Sequence, residues 1–179
     1  MVYQMDKTFK AKRVTRSFRQ TIHAEPAKVH ALICPVKEAD WLDGWQYDML
    51  YSDTGLNEEG CVFTSRSDGE PDTIWLVTKR DDERCRTEFT RVTPESRIAR
   101  LSIQVRPAGN HQSKVDITYE FTALNEAGNR FITSFSDENF INDMRFWEAS
   151  MNHYLETGKT LKNENYNQWL RYQDDTINP

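Results

Sequence analysis

Apolar and polar residues alternate with period two over most of the chain up to residue 124, and recur every three to four residues after residue 136. Residues 8–23 read as one long strand, with Val14, Phe18 and Ile22 on one face and Arg13, Thr15, Ser17, Arg19 and Thr21 on the other. The basic early half suits a solvated edge strand, where charge discourages pairing with another chain; phosphate binding is the sharper alternative. Glu25-Pro26 then opens a short helix with Val29, Leu32 and Ile33 as its stripe. It must stop at Cys34, because the residue before Pro35 is pushed out of the helical region. A second short helix over 36–42 is ended by Gly44.

From Tyr47 onward, period-two segments at 47–53, 60–67, 72–80, 84–93, 96–107 and 112–124 are separated by turn-forming runs, which describes an antiparallel meander. The last two alternate most cleanly. Ala99, Leu101, Ile103 and Val105 on one, and Val115, Ile117, Tyr119, Phe121 and Ala123 on the other, predict one covered face and one wet face. Gly128 reads as a breaker. Beyond it, Phe140, Met144, Trp147, Met151 and Leu155 draw one helical stripe, with Asp143, Arg145, Asn152 and Glu156 off it. Phe131 and Phe135 fall on the other side of an ideal continuation, so the helix begins near residue 136 or bends there. Asp137 and Glu138 suit its first turn and Gly158 its C-cap. The predicted unit is one domain over 1–158 with a tail over 159–179, part of which docks through Tyr166, Trp169, Leu170 and Tyr172.

Composition narrows the classes. The chain has 179 residues with a net charge of −5, which argues against a nucleic-acid binder. No apolar run approaches membrane-spanning length, and the basic N-terminal stretch lacks the apolar core of a secretory signal. A cytoplasmic location is the expectation. Cys34, Cys61 and Cys85 are odd in number with no C-x-x-C, and His23, His30, His111 and His153 are scattered, so neither a disulfide framework nor a metal site is signalled. No cofactor motif is present. Asp40 and Asp43, flanking Trp41, read as solvated rather than as an acid pair.

The order strand, two short helices, six antiparallel strands and a long helix has a physical consequence. A curved sheet with one apolar face needs a cover, and the striped C-terminal helix is the element long enough to supply it. The fold class is therefore α+β, a seven-stranded curved antiparallel sheet wrapped around a long C-terminal helix, with two short helices after the first strand. Several runs carry a resemblance: His23-Ala24-Glu25-Pro26, CPVKEADWLDGW from Cys34 to Trp45, GCVF from Gly60, TIWLVT from Thr73, TYEFTAL from Thr118 and WEASMNHYLETGK from Trp147. Together they resemble a bacterial subgroup of the SRPBCC superfamily (START, birch-pollen-allergen and polyketide-cyclase-like proteins). The resemblance covers roughly residues 15–158 and implies a helix-grip fold that holds apolar ligands between sheet and helix.

On that fold, the residues expected around a cavity are Trp41, Trp45, Tyr51, Phe63 and Trp75, then Phe89, Leu101, Ile103 and Tyr119, and from the long helix Phe140, Met144, Trp147 and Met151. Tryptophans suit a pocket mouth, with an apolar body and one N–H donor each, and methionine adapts to varied apolar ligands. Polar candidates are few. Arg91 continues the Thr87–Phe89 face, Arg86 and Glu88 the opposite one; Tyr119, Tyr51 and His153 are the other groups within reach, His153 lying far round the helix from its stripe. The expected function is binding of a small apolar molecule (a lipid, fatty acid or aromatic polyketide-like compound). Its alternatives are a cyclase, dehydratase or hydrolase working in the same cavity, and an interaction module like the chaperone-activator members of the superfamily. Binding needs one or two polar anchors; catalysis needs a convergent pair with perturbed pKa values.

Overall fold

A computed structural model describes residues 9–66 and 71–164. The elements run β1 (Arg13–Ile22), α1 (Pro26–Leu32), α2 (Pro35–Trp41), β2 (Tyr47–Tyr51), β3 (Val62–Ser65), β4 (Thr73–Asp81), β5 (Arg86–Thr93), β6 (Arg97–Gly109), β7 (Gln112–Ala123), α3 (Glu126–Ser134) and α4 (Asp137–Thr157). The seven strands form one open antiparallel sheet in the order β1-β7-β6-β5-β4-β3-β2. The register of β6 with β7 pairs Leu101 with Tyr119 and Ile103 with Ile117, and all four side chains are buried. A slip by one residue would turn that whole set to water, so burial itself holds the register. The predicted positions 8 and 67, most of the turn at 68–71, and the proposed docking of Tyr166, Trp169, Leu170 and Tyr172 lie outside the described residues.

The edge strand β1 is covered as well as charged. Thr21 N–H donates to Glu148 Oε1 at 2.7 Å, and Asn152 Nδ2 donates to the Thr21 carbonyl at 3.0 Å. Further back, Lys12 N–H donates to Asn129 Oδ1 at 2.8 Å, while Asn129 Nδ2 donates to the Lys10 carbonyl at 3.1 Å. Side chains of α3 and α4 thus occupy backbone groups that an edge would offer to another strand. Gln20, on the inward face, is buried and donates to the Met144 carbonyl at 2.8 Å, which pins α4 across the sheet.

The segment between β7 and α4 departs from expectation. Gly128 does not break a helix but lies inside α3, which starts at the N-cap Asn125, whose side chain accepts from Gly128 N–H at 3.0 Å. A Cβ on Gly128 would stand 2.0 Å from the Ser96 carbonyl oxygen, so the residue is needed for close approach of α3 to the β5–β6 turn. Phe131 and Phe135 leave the α4 stripe because they belong to this separate helix end, where both rings pack on Phe121 with centroids 6.0 Å away. Gly128→Ala is expected to destabilise the protein by about 1–3 kcal/mol in denaturant unfolding. A gain of about 1 kcal/mol, the ordinary helix-propensity result, would show that the close approach is absent.

After α4, whose C-cap Gly158 is left-handed, the chain returns to the end of α2. Leu161 is buried and bridges Leu42, and Lys162 Nζ donates to Asp43 Oδ1 at 2.8 Å. Asp43 is therefore tied to the returning chain rather than solvated. The three cysteines are buried free thiols, and burial pushes Cys61 up to about 11.

Candidate functional site

The inward-facing positions of the sheet line up in rows across the strands. One row runs Phe63, Trp75, Arg91, Ala99 and Phe121; the next runs Val77, Phe89, Leu101 and Tyr119. The aromatic members interlock. Phe63 and Trp75 stack with centroids 5.5 Å apart, and Phe89 meets the Trp75 ring edge-on at 5.8 Å. Ala99 is small, which leaves room for the half-buried Arg91 to lay its guanidinium over neighbouring rings, 4.9 Å from Trp75, 5.2 Å from Tyr119 and 5.5 Å from Phe121.

Above this floor, α4 and the α2–β2 connection stand off far enough to leave a cavity of about 230 Å³. Of the residues expected to line it, Trp45, Phe63, Trp75, Phe89, Leu101, Ile103, Tyr119, Met144 and Trp147 do so. Four do not. Tyr51 lies on the edge strand β2, is exposed, and donates to Asp53 Oδ1 at 3.0 Å. Trp41 is fully buried beneath α2, with Nε1 donating to the Leu32 carbonyl at 3.1 Å. Phe140 and Met151 are core residues, the first packed edge-on to Tyr119 at 6.0 Å. The stripe on α4 thus divides: its ends fill the core, and its middle meets the cavity. Trp147 is half-buried there, tilted against Trp41 with centroids 5.6 Å apart.

Two of the three tryptophans that border the cavity have their N–H donors committed. Trp75 Nε1 donates to Ser65 Oγ at 2.8 Å and Trp45 Nε1 to the Pro35 carbonyl at 2.9 Å. The polar character of the cavity comes instead from Glu38, Arg91, Tyr119 and Asp143; of all the lining residues, Glu38, Leu42, Asp143 and Phe146 were not among those expected there. Glu38 is 6 % exposed, and among the described residues no hydrogen bond or ion pair reaches its carboxyl. Burial pushes it up to about 8. Burial also raises the Tyr119 hydroxyl, against the pull of Arg91, and raises Asp143 at the rim. The signal for Glu38 was present in the short second helix: Pro35, Glu38 and Trp41 are spaced by three and share its buried face.

This arrangement is the helix-grip fold. No family model matches the sequence and no curated protein matches it; the likeness is carried by structure. Norcoclaurine synthase from Thalictrum flavum superposes with a TM-score of 0.62 at 12 % identity, covering 82 % of this chain and 88 % of that one. The aromatase/cyclase Zhui from Streptomyces gives 0.59 at 11 % identity over 85 % of this chain and all of its own length, 100 %. Ara h 8.0201 gives 0.58 at 15 % identity over 82 % and 99 % of the two chains.

Proposed function

We propose that the chain binds one small molecule with an aromatic or otherwise apolar body in the cavity between the sheet and α4. The observation that carries this reading is an aromatic-walled space of about 230 Å³ into which Glu38 brings a carboxyl that no described residue pairs. A buried apolar cavity of about 150 Å³ is known to hold benzene, so this space suits a body of one or two rings. A long fatty acid or a multi-ring polyketide would require the walls to move. Two structural neighbours support the ligand class: norcoclaurine synthase holds dopamine and hydroxybenzaldehyde in one of its structures, and Zhui is an aromatase/cyclase. Among the described residues no helix is long and apolar enough to cross a membrane.

An environment-sensitive naphthalene dye should change tryptophan emission saturably at about one site per chain, because Trp45, Trp75 and Trp147 border the space. Met144→Trp should fill the space and weaken dye binding by about tenfold or more, with a stability change below about 1 kcal/mol. A substitution that costs about 1–3 kcal/mol, with no saturable binding to lose, would mean a solid core and would overturn the reading.

A second reading, acid–base catalysis, is favoured by one observation: Glu38 and Tyr119 share the cavity and are both shifted upward by burial. Mass spectrometry of a bound compound after incubation separates the two, since a catalyst returns it chemically altered.

A further inference from the structure

We propose that the cavity selects molecules carrying a protonated amine, with Glu38 as the group that receives it, an inference that rests on the cavity being the binding site. Among the described residues, the charged and titratable groups bordering the space are Glu38 from α2, Arg91 from β5, Tyr119 from β7 and Asp143 from α4, and the lining residues of β3, β4 and β6 are apolar. Two carboxyls therefore face one guanidinium, and the guanidinium lies on the faces of Trp75, Tyr119 and Phe121.

Glu38 has no counter-charge among the described residues, and burial is what sets its proton affinity. A carboxylate left alone in an apolar site is costly, so the group stays neutral until a cation reaches it. The surroundings favour a cation on two further counts. The rings of Phe63 and Phe89 also border the space, and aromatic faces attract positive charge through their quadrupoles. The Tyr119 hydroxyl, which no described residue hydrogen-bonds, offers a second acceptor for an N–H.

The consequence is proton release. Below about pH 8 the empty site holds a proton on Glu38, and an incoming ammonium expels it. Affinity for an amine should therefore rise with pH by about tenfold per unit up to about pH 8 and then level off. An alkylamine remains protonated through this range, as lysine does.

Three probes sharing one ring system test this by isothermal titration calorimetry: naphthylmethylamine, naphthalenemethanol and naphthoic acid. At about pH 8 the amine should bind at least about tenfold more tightly than the alcohol, and its advantage should shrink towards about pH 6 while the alcohol's affinity stays level. Titrations in buffers of different ionisation enthalpy should count close to one proton released near neutrality. Glu38→Gln should remove both the amine's advantage and its pH dependence while the alcohol still binds. Equal affinity of amine and alcohol throughout, strongest binding by the acid, or an advantage that survives Glu38→Gln would each overturn amine selection and leave the cavity reading intact. Failure of all three probes to bind would overturn the cavity reading, and amine selection with it.

Discussion

Trp41→Ala is expected to lower the free energy of unfolding by about 3–5 kcal/mol, a large share of the stability of a domain this size. The indole is fully buried under α2 and tilts against Trp147 at 5.6 Å. Its Nε1 donates to the Leu32 carbonyl, the last residue of α1, so one ring holds both short helices in place. Removing it leaves a void, and it leaves without its donor a carbonyl that α1 cannot satisfy within itself. The midpoint of urea unfolding should fall with little change of slope. A loss under about 1 kcal/mol would mean that the space closes over or that the ring is not at the centre of this junction.

Glu38→Gln is expected to stabilise the protein, and by an amount that grows with pH. The folded chain holds the Glu38 proton up to about pH 8, against an ordinary value of 4.5. Between those values the unfolded chain has lost the proton and the folded chain has kept it, so stability falls as pH rises across the window, and the loss is complete above about 8. At about 1.4 kcal/mol per unit, the effect amounts to a few kcal/mol. Glutamine has no proton to lose and keeps the shape. Asp143 and Glu148, both raised by burial, tilt the curve the same way. His30 acts in the opposite sense: burial, with Arg80 beside it, holds it down at about 4 against 6.5, so its contribution is lost as pH falls through that range. These contributions are common to both proteins and cancel in the difference. Urea unfolding of the two proteins from about pH 4 to 9 should show the gap opening upward; a gap that stays constant would mean Glu38 is not buried in the folded state.

Strand-level alternation was legible because each strand of the sheet's centre has one side wet and one covered. Leu101, Ile103, Ile117 and Tyr119 each declare their direction by parity, and the register then follows from burial. The same parity placed Arg91 inward beside Phe89. The stripe on α4 was legible for the same reason, along with its N-cap region near Ser136 and its C-cap Gly158. Gly128 misled because a glycine needed for close packing and a glycine that ends a helix look alike in sequence; the Ser96 carbonyl that distinguishes them is 32 positions away.

Apart from α3, the order of elements, the direction each apolar face points and the presence of a sheet needing a helical cover are determined by the sequence itself, because period and turn chemistry are local properties of the chain. The division of one helical stripe into core and cavity wall was decided only in three dimensions. Phe140 and Met151 share a stripe with Met144 and Trp147, yet only the latter pair meets open space. Tyr51 points to water because its strand is the uncovered edge of the sheet, which is a fact about its neighbours rather than about its spacing. Glu38 is the plainest case. Its spacing by three from Pro35 and Trp41 marked a shared face, but a glutamate on a seven-residue helix ordinarily faces solvent, and only the packing of α2 over the end of the cavity made that face the buried one.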